Sequence, residues 1–369
     1  MAANLEPAER LARLALARTE TVGPIRFAEL LDACGSARQA LQSLPELARR
    51  ARLKPPRPVS HADAARELAA IEGFGGRLLV WGDADYPAQL AEIRDRPPVA
   101  TMIGQTDLLR RPMIAMVGAR NASAAGRRWT EDLARALGEQ GFAVVSGMAR
   151  GIDAAAHLGA LDTGTVAVLA GGLDNVYPPE NAALYENVKR RGLLIAEQPF
   201  GLTPRAGHFP RRNRIVAGLA LGVVVVEATL RSGALITARL AAEEGREVFA
   251  VPGSPRDPRA RGPNHLIRQG AVLTESIDDI LGALEQPHRT RLRFDLPAQG
   301  DVDEATDRTQ NETRDLDQEI LECLSSTPIE VDEIVRRCQV TAAEAQTMLL
   351  ELELAGRIER HSGNRFSLI

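Results

Sequence analysis

Between residues 113 and 251 the chain alternates short apolar runs with longer segments whose apolar residues recur at helical spacing. The runs are Met113–Val117, Phe142–Ser146, Thr165–Leu169, Leu193–Ala196, Gly222–Val226 and Glu247–Val251. Each is long enough for one strand, and each is apolar at consecutive rather than alternate positions, the pattern of a strand buried on both faces. The stretches between them, such as Ala125–Gln140 and Ile152–Leu161, read as crossover helices. Strands and helices in that alternation predict an α/β fold, a doubly wound, Rossmann-like, mainly parallel sheet. Right-handed crossovers then bring every strand's carboxyl end to one edge of the sheet, where ligands of such folds bind.

The flanks follow other patterns. Leu11, Leu14, Ala15 and Leu16 have helix spacing, the turn Thr21-Val-Gly-Pro24 follows, and Phe27, Leu30 and Leu31 continue on a second helix. This predicts a helical hairpin in a small domain of the SAM or helix-hairpin-helix kind over residues 1–75. Its Gly-Pro turn either offers backbone N–H groups to a phosphate or is a plain connector. The strand-bearing domain with its lead-in is assigned to 76–285. Residues 286–315, rich in Pro, Gln, Arg, Asp and Thr, read as a flexible linker. In 316–369, helices over Leu316–Leu324, Val331–Arg337 and Ala342–Leu354 precede a hairpin with its turn at His361-Ser-Gly-Asn364, the order of a winged helix. Thr341 and Glu344 fit a capping box.

The 369 residues carry a formal net charge of −4, so the chain as a whole does not announce a polyanionic partner. The charge is unevenly spread: residues 316–369 hold ten acidic side chains against five basic, whereas 1–285 is slightly basic. A basic site must therefore be a local patch. Only Lys54 and Lys189 are lysines, so the cationic side chains are almost all guanidinium forks suited to phosphate, although GC-rich coding would produce the same bias. Cys34, Cys323 and Cys338 form no C-x-x-C pair, and the six histidines show no metal spacing, so neither a disulfide framework nor a metal site is expected. The longest apolar run, Ile215–Val226, contains Gly218 and Gly222 and is too short for a membrane span. With no leader visible at the amino terminus, a cytoplasmic protein without membrane contact is expected.

The loops that leave the strands carry the candidate chemistry. In order they are Gly118-Ala-Arg120-Asn-Ala-Ser123, Ser146-Gly147-Met-Ala-Arg150-Gly-Ile-Asp153, Gly171-Gly172-Leu-Asp174, Arg211-Arg212-Asn213-Arg214, Glu227-Ala-Thr-Leu-Arg231-Ser232-Gly233, and Pro252-Gly253. Glycine admits a close phosphate, a helix N-terminus donates N–H groups and arginine adds a bidentate charge. One such loop is ordinary turn chemistry for this fold; several in series, with Thr237 in the helix that follows Ser232-Gly233, predict phosphate sockets in a row, suited to an extended polyanion. A P-loop and a G-x-G-x-x-G after the first strand are both missing, so neither an ATP motor nor a dinucleotide cofactor is expected. Ser146, Asp153 and His157 have the residue types of a triad, but the serine is not in a G-x-S-x-G elbow, and capping by Asp153 with packing by His157 is the better account.

These segments resemble the DNA-processing protein A (DprA/Smf) family. The resemblance is carried by Met116-Val-Gly-Ala-Arg120, Val145-Ser-Gly-Met-Ala-Arg-Gly-Ile-Asp153, Gly171-Gly-Leu-Asp-Asn-Val-Tyr-Pro178, Phe209-Pro-Arg-Arg-Asn-Arg-Ile-Val-Ala-Gly-Leu219, Ser232-Gly-Ala-Leu-Ile-Thr237, Val251-Pro-Gly253 and Gly262-Pro-Asn-His-Leu-Ile267. Met148 and Ala234 depart from the family's pattern without touching the phosphate logic. The resemblance implies a non-enzymatic protein that binds single-stranded DNA, often as a homodimer, and helps load RecA recombinase during natural transformation. It also implies DNA contacts at Gly118, Arg120, Ser146, Gly147, Arg212, Arg214, Arg231 and Ser232. Single strands favour an aromatic platform as well, and Phe209, beside the arginine cluster, is either that platform or a buried loop anchor. The third helix of the winged-helix segment has glutamates and no Lys or Arg, so that segment is expected to bind protein rather than DNA. The competing reading is a LOG-type nucleotide phosphoribohydrolase on a similar fold, but the region near Glu227 lacks that family's P-G-G-x-G-T-x-x-E loop.

Overall fold

A computed structural model describes residues 5–50, 57–285 and 316–368, apart from single positions at 326, 339, 356 and 362. The expected linker at 286–315 lies outside the described residues. In chain order the amino-terminal elements are α1 (Pro7–Arg18), α2 (Pro24–Cys34), α3 (Ala37–Arg50), α4 (His61–Gly73), β1 (Arg77–Val80), α5 (Ala88–Glu92) and β2 (Val99–Gly104). The central domain continues with β3 (Met113–Val117), α6 (Ala124–Glu139), β4 (Ala143–Ser146), α7 (Ile152–Ala160), β5 (Thr165–Leu169), α8 (Ala182–Arg191) and β6 (Leu193–Ala196). It closes with α9 (His208–Leu219), β7 (Gly222–Val225), α10 (Gly233–Glu243), β8 (Glu247–Ala250), α11 (Arg261–Arg268), β9 (Val272–Leu273) and α12 (Ile277–Glu285).

The described residues build one sheet in the order β1-β2-β6-β5-β4-β3-β7-β8-β9. All six apolar runs form strands, and from β6 to β9 every pairing is parallel. Burial on both faces follows the two-residue period of a strand. Met113, Ala115 and Val117 of β3 join the layer containing Ile215 and Val216 of α9 and Leu235 and Ala238 of α10. Ile114 and Met116 face the other way, toward Leu133 and Leu137 of α6 and Ile152 and Ala156 of α7. Removing each such side chain from water contributes about 1.5–3 kcal/mol, which explains why this part of the fold is so plain in the sequence.

Beyond β6 the sheet carries an extension that the sequence pattern does not predict. β2 pairs antiparallel with β6, and β1 pairs antiparallel with β2. Leu14 and Ala15 of α1 and Ala64 and Ile71 of α4 cover this extension, packed with Leu78, Val80 and Val99. The other side of α1 joins α2 and α3 around the buried Phe27. Arginines fix the two units together: Arg10 pairs with buried Asp83 and donates to Leu78 O, while Arg18 pairs with Glu67 and donates to Glu197 O.

The carboxyl-terminal segment comprises α13 (Leu316–Cys323), β10 (Ile329–Glu330), α14 (Val331–Cys338), α15 (Ala342–Leu354), β11 (Ile358–His361) and β12 (Arg365–Leu368). It is a winged helix whose sheet, ordered β10-β12-β11, has one strand more than the hairpin alone. The expected capping box is present: Glu344 N–H donates to Thr341 Oγ1 at 3.3 Å, and Thr341 N–H donates to Glu344 Oε2 at 2.8 Å.

Candidate nucleic-acid interface

The order in which the chain adds parallel strands reverses between β3 and β7, the position where a doubly wound sheet opens its ligand crevice. Here the chain fills that crevice itself. Ser123 caps α6 by accepting from Gly126 N–H at 2.9 Å. The carboxylate of Glu227, in the loop after β7, accepts from Ser123 N–H at 2.8 Å and from its hydroxyl at 2.5 Å. A carboxylate thus stands at the helix N-terminus, where a bound phosphate would stand in a nucleotide-binding relative of the fold.

The loop after β4 repeats this arrangement. Gly147 N–H and Ala149 N–H both donate to Asp153 Oδ2, at 3.1 and 3.3 Å. The wholly buried hydroxyl of Ser146 donates to Met116 O at 2.7 Å. His157 meets Thr165 through Nδ1 at 2.7 Å, and Thr165 gives its own proton to Val144 O. The imidazole therefore donates from Nδ1 and is neutral; burial, helped by the positive field of Arg212, pushes its pKa down to about 3. No relay reaches His157 from serine or aspartate, and the histidine packs as expected; Asp153, however, lies inside α7 and holds the preceding loop instead of capping the helix, whose N-cap Gly151 has no side-chain hydrogen bond.

The arginine cluster divides into inward and outward members. Arg212 is buried and donates to Gly147 O and to Val168 O, the latter at 2.5 Å. A side chain at Gly147 would collide with this guanidinium, which accounts for the glycine. Burial lowers the Arg212 pKa to about 10, against the opposing pull of Asp153. Arg214, also buried, donates to Asp95 O and pairs with Glu197. Both were expected among the phosphate ligands; their guanidinium groups are instead committed within the chain. Asn213 links helices, accepting from Arg212 Nε at 3.2 Å and donating to Gly233 O at 3.4 Å. Ser232 caps α10, and buried Thr237 donates to Gly233 O.

Arg120, Arg211 and Arg231 are exposed, and Arg150 is half-buried beside Glu180 at 3.6 Å. Arg120 and Arg150 line an open cleft together with Gly147, Gly171, Tyr177 and Phe209. Gly171 lines it after β5, and the adjoining Gly172 N–H donates to Leu202 O at 2.8 Å. Phe209 is half-exposed, its ring 5.4 Å from that of Tyr177, with the Arg120 guanidinium 5.3 Å above it. It is a cleft wall, not a core anchor. Gly118 sits just behind, its backbone close against Ile152 and Glu227 O. Tyr177 was not among the expected site residues; an aromatic at the end of the Gly-Gly loop was the available signal. Among the described residues no His, Cys, Asp or Glu cluster suits a metal, and no helix is long and apolar enough to cross a membrane.

A Rossmann-like domain whose nucleotide crevice is self-filled, with an arginine and aromatic cleft beside it and helical and winged-helix units at its ends, defines a narrow class. The chain belongs to the DNA recombination-mediator protein A family, whose model matches residues 77–285; models of the DprA-like N-terminal HHH domain and the DprA winged helix domain match 7–70 and 304–364. Protein Smf of Synechocystis is 36% identical over 317 residues, covering 79% of each chain, and Protein Smf of Escherichia coli is 39% identical over 281 residues, covering 74% of this chain and 72% of its own. The X-ray structure of DNA processing protein A from Streptococcus pneumoniae has a TM-score of 0.61 and 34% identity, covering 75% of this chain and 97% of its own. A Helicobacter pylori DNA processing protein A structure, described as revealing a single-stranded DNA binding mode, has a TM-score of 0.52 and 30% identity, covering 57% of this chain and 95% of its own.

Proposed function

We propose that this protein binds single-stranded DNA, without regard to sequence, in the cleft of Arg120, Arg150, Tyr177 and Phe209, and that as a cytoplasmic homodimer it hands the strand to RecA recombinase during transformation. The observation that carries the reading is the stacked guanidinium and aromatic pair: a sequence-independent single-strand site needs a cation for the backbone and a π face for the bases, and Arg120 over Phe209 supplies both. Exposed Arg211 and Arg231 extend the positive surface along the strand ends. The single-stranded DNA binding described for the Helicobacter pylori relative supports the same choice of ligand. The role is non-enzymatic. With Ser146 buried and His157 tied to Thr165, the residues that resemble a triad have no line to a substrate.

Titrating labelled oligonucleotides at several salt concentrations tests this. Affinity should fall steeply with salt, and Arg120→Ala and Arg231→Ala should each reduce the slope by about one unit. Equal affinity for duplex and single strands would overturn the proposed ligand. Release of adenine from AMP would favour the phosphoribohydrolase reading instead. The RecA step is tested by filament assembly on DNA already coated with single-strand-binding protein, which should speed up when this protein is present.

A further inference from the structure

The winged helix rests on the Rossmann-like domain through a contact centred on Cys323. Arg259 clamps the chain on either side of it, donating to Glu322 O at 2.8 Å and to Leu324 O at 2.6 Å while paired with Asp257 at 3.0 Å. Arg127, in the first turns of α6, points Nη2 at Cys323 Sγ, 3.6 Å away. Arg337 of α14 reaches across to Glu131 of α6 at 3.7 Å and also holds Glu333 at 3.3 Å. Ala124 of α6 is buried in the core of the winged helix, so the contact is packed as well as charged. At its centre the two thiols, both buried, lie with their sulfurs 3.3 Å apart, and Cys338 donates to Cys323. A disulfide needs a separation near 2.05 Å, so the sulfurs must close by only about 1.2 Å.

We propose that Cys323 and Cys338 are a dithiol site oxidised by hydrogen peroxide, and that formation of its disulfide loosens the winged helix from α6. The hydrogen bond from Cys338 and the charges of Arg127 and Arg337 outweigh burial and bring the Cys323 thiol down to about 7, which makes it the attacking sulfur near neutral pH. In the first step the Cys323 thiolate attacks a peroxide oxygen: an S–O bond forms, the O–O bond breaks, and hydroxide leaves and takes up a proton to become water. Sulfur loses two electrons to the peroxide and becomes a sulfenic acid. Cys338 then loses its proton and attacks that sulfur; the S–S bond forms, the S–O bond breaks, and a second water leaves. One peroxide and two thiols thus yield one disulfide and two waters. The product no longer offers Arg127 an anion, so one charged anchor between the domains is lost. In a reducing compartment such a bond is transient, as a sensor requires.

The full-length protein, reduced and then treated with hydrogen peroxide near neutral pH, should yield on digestion a peptide pair joined at Cys323 and Cys338 and released by dithiothreitol, with Cys34 still open to alkylation. In Cys338→Ser, Cys323 should accumulate as a sulfenic acid trapped by dimedone. Arg127→Met should slow Cys323 oxidation several-fold at neutral pH and move the midpoint of its rate against pH upward from about 7 toward an ordinary thiol. Hydrogen exchange in 122–131 of wild type should quicken on oxidation and revert on reduction. The proposal is overturned if Cys34 reacts first, if peroxide gives no linked peptide in the wild type, or if exchange in 122–131 is the same in both states.

Discussion

Two neighbouring pockets at the carboxyl edge of the sheet are built from the same kinds of residue and do opposite things. At the switch between β3 and β7, glycine loop, helix N-terminus and capping serine converge on a position already held by Glu227. Beside it, the cleft of Arg120, Gly147, Gly171, Tyr177 and Phe209 stands open. The same division runs through the arginines: Arg212 and Arg214 turn inward to carbonyls and carboxylates, whereas Arg120, Arg211 and Arg231 face water. A fold that usually grips one nucleotide has its own carboxylates in the nucleotide's place, and the cleft proposed for the single strand lies open beside it. Scaffold residues should therefore govern stability and cleft residues should govern binding, and each substitution below tests that separation.

The largest effect is expected at Arg212. Replacing it by methionine leaves the carbonyls of Gly147 and Val168 without their buried donor and removes a positive field from Asp153, and each buried acceptor left unsatisfied costs about 1–3 kcal/mol. Urea denaturation should show that loss. A variant with unchanged stability and weakened DNA binding would place Arg212 at the interface after all and erase the division.

Next comes Glu227→Ala, which strips the carboxylate from the start of α6 and leaves Ser123 N–H, in a residue only 1% exposed, without its acceptor. The cost is about 1–3 kcal/mol. Because the emptied position is a helix N-terminus, phosphate or sulfate should restore part of the lost Tm in the variant more than in wild type. No anion response would mean that the crevice does not mimic a phosphate site.

Phe209→Ala carries the comparison to the open side. Removing the ring should weaken single-stranded DNA binding by about 1–3 kcal/mol, read as a rise in Kd, with little change in the urea midpoint because the ring is half-exposed. Tyr177→Ala should weaken binding in the same direction, since its ring packs against that of Phe209 at a tilt. Loss of stability without loss of affinity in both variants would return Phe209 to the role of a loop anchor.

How far the sequence foretells this arrangement depends on what burial leaves in the pattern. The six central strands are legible because water is excluded from both their faces, and consecutive apolar residues record that. β1 and β2 are hidden because Leu78–Val80 and Val99–Met102 are short and lie among Gly, Pro and charged residues. The arginines mislead because residue type says nothing of direction: 211 to 214 look alike in composition, yet Arg212 shares a helical face with Ile215, Val216 and Leu219 and is drawn in with them. That spacing was the available signal. Self-filling of the crevice by Glu227 has no sequence signature, because Ser123 and Glu227 meet only through the sheet topology.

The smallest effect lies deepest in the scaffold. His157 is wholly buried and neutral, and its Nε2 has no hydrogen-bond partner, so a second proton there would be a bare buried charge. Its folded pKa, near 3, is below the ordinary value of 6.5 that it regains on unfolding. Between these values the unfolded chain binds the proton and the folded one does not, so stability falls as pH falls through 6.5 and goes on falling until the folded form also titrates. From pH 7.5 to 5.5 this one group should remove about 1.4 kcal/mol, a tenfold drop in the folding constant. His157→Asn, whose amide can still donate to Thr165 but cannot be protonated in this range, should be flatter by that amount in urea titrations at the two pH values. DNA binding compared at one salt concentration should not distinguish the variant from wild type, because His157 meets Thr165 and Val144 lies beyond it, well behind the cleft wall. A pH slope equal in both proteins would show that the imidazole takes up its proton as readily in the folded chain as in the unfolded one, and the interior reading of this loop would fail with it.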